Sequence, residues 1–207
     1  MELQFYGANC VSLSYKNRRL IIDDNLAELG AKSVIKLDDV ALYTGKHPEG
    51  TVGRLTFDKP GEYEVGDISI LGIAARAHTD EPEQRNATLL KLMLGDLSVL
   101  ITGHIYPELN EAQLEKIGMV DIMLVPVGGN GYTVDPVGAL KLIKDIEPKL
   151  VIPTHYNDKA LKFPVPQQEL SNALKELGME PTETVSKLKL KATELSDVTK
   201  LVLLEKS

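Results

Sequence analysis

The sequence predicts a mixed α/β protein, rich in strands over its first two thirds and alternating helix with strand beyond. Three observations carry that reading. Short apolar runs separated by Gly, Pro, Asn and Asp succeed one another from Leu3 to Ile101, the pattern of a strand meander. After Ile101 the apolar spacing widens toward a helical period in alternate segments. Each of the four histidines, His47, His78, His104 and His155, stands at or just past the end of an apolar run. That position puts them on loops beside one edge of a sheet, where a strand scaffold presents chemistry.

Taken in order, Leu3 to Tyr6, Val11 to Tyr15 and Arg19 to Ile22 read as strands, the third ending on Asp23-Asp24. Val34 to Tyr43 is the next expected strand and runs into Thr44-Gly45-Lys46-His47-Pro48-Glu49-Gly50. Arg54 to Phe57, Gly61 to Val65 and Ile68 to Ala75 continue the pattern, with Pro60-Gly61 and Gly66-Asp67 as turns. His78 follows, then a polar loop from Glu81 to Asn86, expected to be mobile over a site. Thr88 to Leu94 and Leu97 to Ile101 form a hairpin about Gly95-Asp96 and deliver Thr102-Gly103-His104. Pro107 to Ile117 then reads as a helix and Asp121 to Val127 as a buried strand. A second helix, Asp135 to Ile146, starts on an Asp N-cap with Pro in its first turn. Strand Leu150 to Ile152 empties into Pro153-Thr154-His155-Tyr156. Gln167 to Leu177 has leucines on one face and Gly178 at its end. Ser186 to Ala192 and Lys200 to Leu204 are the last strands. Lys187, Lys189 and Lys191 alternate with leucines, a guard expected on a sheet edge. No linker or repeat divides the chain, so residues 1–207 are expected to form a single domain.

Composition bounds the function. The chain has 30 acidic and 23 basic residues, a net charge of −7, so its long-range field opposes nucleic acid. A single cysteine, Cys10, excludes an internal disulfide and a Cys-based zinc cluster, and suits a reducing compartment. No secretory signal is read at Met1-Glu2 and no run reaches membrane-spanning length. The expectation is a cytoplasmic protein acting on a small-molecule substrate.

Imidazoles gathered on loops at one sheet edge are suited to zinc, which in catalytic sites takes three protein ligands and keeps a position for water. In order along the chain, Ile21-Ile22-Asp23, Thr44-x-x-His47, Gly61-Glu62-Tyr63-Glu64, Ala77-His78, Thr102-Gly103-His104, Asp121 to Gly129 and Pro153-Thr154-His155-Tyr156 resemble the metallo-β-lactamase superfamily, nearest its small lactonase-like zinc hydrolases. The resemblance implies a four-layer αββα sandwich with metal at one rim. It also implies a role for Asp23 in bracing a ligand loop, and for Asn130 and Tyr132 in contacting substrate.

The departures are specific. Laid on Thr44 to Gly50, the family turn Thr-His-x-His-x-Asp-His finds Gly45 and Gly50 where it has histidines, keeps His47, and has Glu49 for Asp. His104 stands where the family has a carboxylate bridging two metals, and one imidazole lone pair cannot bridge as two carboxylate oxygens do. Two single-ion arrangements follow. In the preferred one, His47, His78 and His104 hold zinc while Glu49 orients water or takes its proton. In the other, His104, His155 and Glu49 form a two-His, one-carboxylate site. Either would support hydroxide attack on an ester, lactone, amide or phosphoester. The alternative is a binding module on the same fold with no metal and no catalysis. Gly128-Gly129-Asn130-Gly131 lacks the spacing of a phosphate loop, and Cys10 reads as a small packed residue.

Overall fold

The computed structural model describes residues 1–207 and arranges fourteen strands in two sheets. β1 (Glu2–Gly7), β2 (Cys10–Tyr15) and β3 (Arg18–Ile22) form an antiparallel meander, and β4 (Val40–Leu42) and β5 (Leu55–Phe57) add in parallel to β3. The second sheet opens with the antiparallel run β6 (Gly61–Val65), β7 (Ile68–Ala75), β8 (Ala87–Leu94) and β9 (Leu97–Ile101). It continues in parallel through β10 (Ile122–Pro126), β11 (Leu150–Thr154), β14 (Lys200–Leu204) and β12 (Pro181–Val185). β13 (Leu188–Lys189) returns to the first sheet as its edge, against β1. Leu188 is buried there and Lys189 exposed, as expected of the lysine-leucine alternation.

Packing explains the burial patterns. A core of 24 buried residues, among them Leu3, Leu13, Leu20, Ile70, Leu92, Val99 and Ile152, fills the space between the sheets. β1 alternates buried and half-buried positions, whereas β9, β10 and β11 are buried at every residue. Those three are covered twice, by the other sheet and by α1 (Glu111–Ile117), α2 (Pro136–Ile146) and α3 (Leu170–Leu177), which pack on a second cluster containing Met123, Val125, Leu142 and Leu177. Strands covered on both faces read as continuous apolar runs. The outer face of the six-stranded sheet carries no helix. Cys10, Ile21, Leu26 and Leu161 are buried there beneath irregular segments bearing Leu29, Val34, Ile35 and Phe163.

Differences from the sequence reading have local causes. The expected strand from Val34 is reduced to β4 because carboxylates take its backbone amides. Asp24 accepts from Val34 and Ile35 at 2.7 and 2.9 Å, and Asp39 accepts from Lys36 at 2.7 Å and from Arg19 at 2.6 Å. Amides bonded to side chains are not available to a ladder. Helix α1 starts late because Asn110 and Gln113 close a capping box. Helix α2 starts where expected, on Asp135, whose carboxylate accepts from Gly138 at 2.7 Å. Helix α3 starts at Leu170 since Gln167 is used elsewhere, and ends on Gly178 in the left-handed region. The expected strand from Ser186 is instead the crossing between sheets, with β12 before it and β13 within it. No helix is long and apolar enough to cross a membrane.

Candidate metal centre

Loops at the carboxyl ends of β3, β4, β7, β9, β10 and β11 gather at one rim of the sandwich, and backbone bonds tie them together. The Thr88 amide donates to the Thr44 carbonyl at 2.8 Å, His78 to His104 at 2.7 Å, and His155 to Ala8 at 2.8 Å. The rings of His104 and His155 meet edge to face, 4.6 Å between centroids and 84° between planes. Tyr132 lies against both, at 5.2 Å from His104 and 5.8 Å from His155. Phe163 covers His155 at 5.0 Å.

Both rings are neutral at pH 7. Burial, with His155 beside it, holds His104 down at about 3, against the Tyr132 backbone. Burial likewise lowers His155 to about 4, opposed by its bond to Gln167. By surface area His155 is buried and His104 half-buried. Neutral imidazole is the form that ligates metal.

Below this pair lies a second knot. Asp23, at φ +45° and buried, accepts from the Thr44 amide and hydroxyl, both at 2.7 Å. Burial pushes its carboxyl up to about 6, against the pull of those two bonds. Thr44 in turn fills the space beside Gly103. A Cβ on Gly103, at φ +59°, would stand 2.0 Å from Thr44 Oγ1. Asp23 thus fixes the first residue of the His47 turn against the residue preceding His104.

His78 is half-buried, against Tyr106 at 6.0 Å, and its Nδ1 is buried without a hydrogen-bond partner. Its field contributes to the lowering at His104. The polar loop after it, expected to be mobile, is stapled by Asp80, which accepts from Ala77 and Asn86 amides at 2.8 and 2.9 Å and from Asn86 Nδ2 at 2.8 Å.

His47 is turned elsewhere. Its ring rests on Tyr43 at 5.6 Å and its Nε2 faces Asp58 at 3.8 Å. Glu49 is exposed. His47 and Glu49 line an open pocket of about 650 Å³ with Asn25, Glu28, Lys46 and Tyr132. Tyr132 therefore borders both that pocket and the His104–His155 pair. Asn130, expected to touch substrate, is at φ +57° and donates through Nδ2 to the Pro166 carbonyl. Another hollow of about 590 Å³, lined by Tyr63, Lys91 and Met93, lies on the outer face of the eight-stranded sheet, away from the histidines.

The expected set of His47, His78 and His104 is therefore not assembled, nor is that of His104, His155 and Glu49. No three His, Cys, Asp or Glu side chains come together in a way that could hold an ion. The physical reason is local: Gly45 and Gly50 supply no donors, and His47 finds Tyr43 and Asp58. His104 and His155 offer neutral imidazoles, and His78, whose Nδ1 is buried without a partner, is tied to His104 through the backbone. The sequence offers Gln167 only as a helix start and Gly128 only as part of a glycine-rich turn, and does not single out Phe163. A Gln at a helix start and a Gly after a strand carry no signal until folding brings them to a histidine.

Comparisons with known proteins agree with this architecture. Residues 2–155 match the model of the beta-lactamase superfamily domain. A metal-dependent hydrolase of Aeropyrum pernix is 24% identical over 81% of this chain and 87% of its own length. One from Carboxydothermus hydrogenoformans is 52% identical, but over 21% of this chain and only 19% of that protein. A Thermotoga maritima structure, assigned as a Zn-dependent hydrolase of the metallo-beta-lactamase superfamily, superposes with a TM-score of 0.75 at 25% identity, covering 99% of this chain and 98% of its own. An isothiocyanate hydrolase from Delia radicum gut bacteria shares the fold, with a TM-score of 0.65 at 12% identity over 93% of this chain and all of its own. With the family model matched over residues 2–155 and the two-sheet fold shared, the chain belongs to the beta-lactamase superfamily domain family.

Proposed function

We propose that residues 1–207 act as one cytoplasmic domain, a metal-dependent hydrolase whose altered site holds a single ion, zinc by preference, through His104 and His155, with the unpartnered Nδ1 of His78 as the third donor. The observation that carries this reading is the neutral, edge-to-face His104–His155 pair. The description of the relatives as metal-dependent hydrolases supports it.

A bound divalent ion supplies Lewis acidity and an acidified water. The chain's own residues do the rest. The pocket lined by His47, Glu49 and Tyr132 receives a small ester, lactone, amide or phosphoester. Glu49 on its rim exchanges a proton with solvent and substrate. Tyr132, which lines that pocket and packs on both rings, stands where substrate meets the histidine pair, and Asp23 through Thr44 keeps the His47 turn and the Gly103-His104 turn in register.

The test is zinc titration of chelator-stripped protein, followed by thermal melting. Zinc at a hundred times its Kd stabilises the native state by about 2.7 kcal/mol, a rise of roughly 5–10 °C for a chain of this size. One observation favours a second reading, a metal-free binding module: no three donors are assembled and Tyr132 is packed on both rings. A melting temperature indifferent to zinc, iron(II), manganese and nickel would establish that reading instead.

A further inference from the structure

We propose that Gln167 is a positioning residue for His155, whose side-chain carbonyl fixes the ring as the Nδ1–H tautomer and leaves Nε2 as the free lone pair. His155 Nδ1 lies 3.0 Å from Gln167 Oε1. The orientation of the amide follows from its other end. Gln167 Nε2 donates to the Val165 carbonyl at 2.7 Å, and a flipped amide would set two acceptors against one another. With the carbonyl facing His155, only a protonated Nδ1 makes the bond.

The amide is held from several sides. Gln167 is 6% exposed and sits in Phe163-Pro164-Val165-Pro166-Gln167-Gln168, where two prolines restrict the backbone. The Gln168 amide donates to Gly128 at 2.9 Å and the Asn157 amide to Gln168 at 2.8 Å, while Asn130 Nδ2 donates to Pro166. Gly128 makes the approach possible. A Cβ there would lie 2.1 Å from both Gln167 Oε1 and the His155 carbonyl oxygen. A buried amide with both ends satisfied on so constrained a segment aligns a ring. For packing alone, an apolar side chain of that size would serve without a polar atom to satisfy.

The consequence for metal rests on the reading of His155 as an ion-holding residue. The tautomer does not, and the experiment separates the two. Protein labelled with [15N]histidine and stripped of metal is examined at pH 7.5 by long-range 1H–15N correlation, with His155→Asn used to assign the signals. Expected is a protonated Nδ1 and an unprotonated Nε2 for His155 in the unaltered chain. In Gln167→Leu the signals move toward the Nε2–H form that predominates in water, and Gln167→Glu, which keeps an acceptor, restores the Nδ1–H form. Zinc affinity of Gln167→Leu falls by about 10–100-fold, as for loss of other outer partners of ligating histidines. An Nε2–H signal in the unaltered chain, which needs no variant to fold, overturns the proposal, as does an unchanged tautomer in folded Gln167→Leu. A tautomer that shifts as expected in a protein without zinc affinity upholds the role of Gln167 and removes the metal reading alone.

Discussion

His104 and His155 stand ring edge to ring face at 4.6 Å, although 51 positions separate them in sequence. Parallel strands β9, β10 and β11 end side by side, so the loops that leave them share one rim, the usual place for ligands in open α/β sheets. Burial keeps both rings neutral, and Tyr132 closes over them.

That arrangement sets His104 and His155 apart from His47. His104→Ala and His155→Ala each weaken zinc binding by more than the roughly 10–100-fold expected for an outer partner. His47→Ala leaves it nearly unchanged, since that ring is engaged with Tyr43 and Asp58. Competition with a chromophoric chelator measures all three. A loss in His47→Ala equal to the others would contradict the division.

Asp23 gives a pH signature. Its folded pKa of about 6 exceeds the ordinary value of 3.8, so the folded state binds the proton more tightly. The resulting stabilisation is complete below about pH 4 and is lost as pH rises through 6. At about 1.4 kcal/mol per pKa unit it amounts to something on the order of 3 kcal/mol. Asn at this position cannot ionise, and its Oδ1 still accepts from the Thr44 amide. The stability of Asp23→Asn relative to the unaltered chain therefore climbs by about 2–3 kcal/mol between pH 4 and pH 7. Denaturant titration of metal-free protein at the two pH values checks this, and a difference independent of pH would refute it.

Gly103 is constrained twice, by φ +59° and by Thr44 Oγ1 at 2.0 Å from any Cβ. Gly103→Ala pays for both and costs at least about 2–3 kcal/mol. Gly45 and Gly50 have open space where a Cβ would go. Of these, Gly45, which is not at positive φ, accepts Ala within about 0.5 kcal/mol. Chemical denaturation of the two Ala variants orders them, and equal costs would rule out the Thr44 contact as the cause.

Tyr132 shields the histidine pair. In Tyr132→Ala, carbethoxylation of His104 and His155 by diethyl pyrocarbonate speeds up several-fold, while His47, already open to its pocket, reacts as before. Peptide mass spectrometry resolves the four sites. Unchanged rates at His104 and His155 would show that other residues provide the cover.

Much of the architecture was legible in the chain itself. Short apolar runs between Gly turns located β6, β7 and β9, and the Asp135-Pro136 start located α2, because local hydrogen bonding and backbone restriction decide such elements. The resemblance carried by Thr44, His47, His78, His104 and His155 anticipated the family. Placement at strand ends identified the rim as the region of the candidate site. What the chain could not disclose was which way each side chain turns. His47 was expected beside His78 and His104, yet Tyr43 and Asp58 draw its ring away. Gln167 read as the start of a helix, yet its amide reaches His155 through the space that Gly128 leaves empty. Strand position and burial follow from near-neighbour pattern and are written along the sequence. Ring orientation and tautomer are set by contacts among residues far apart in it, and exist only once the sheets have closed.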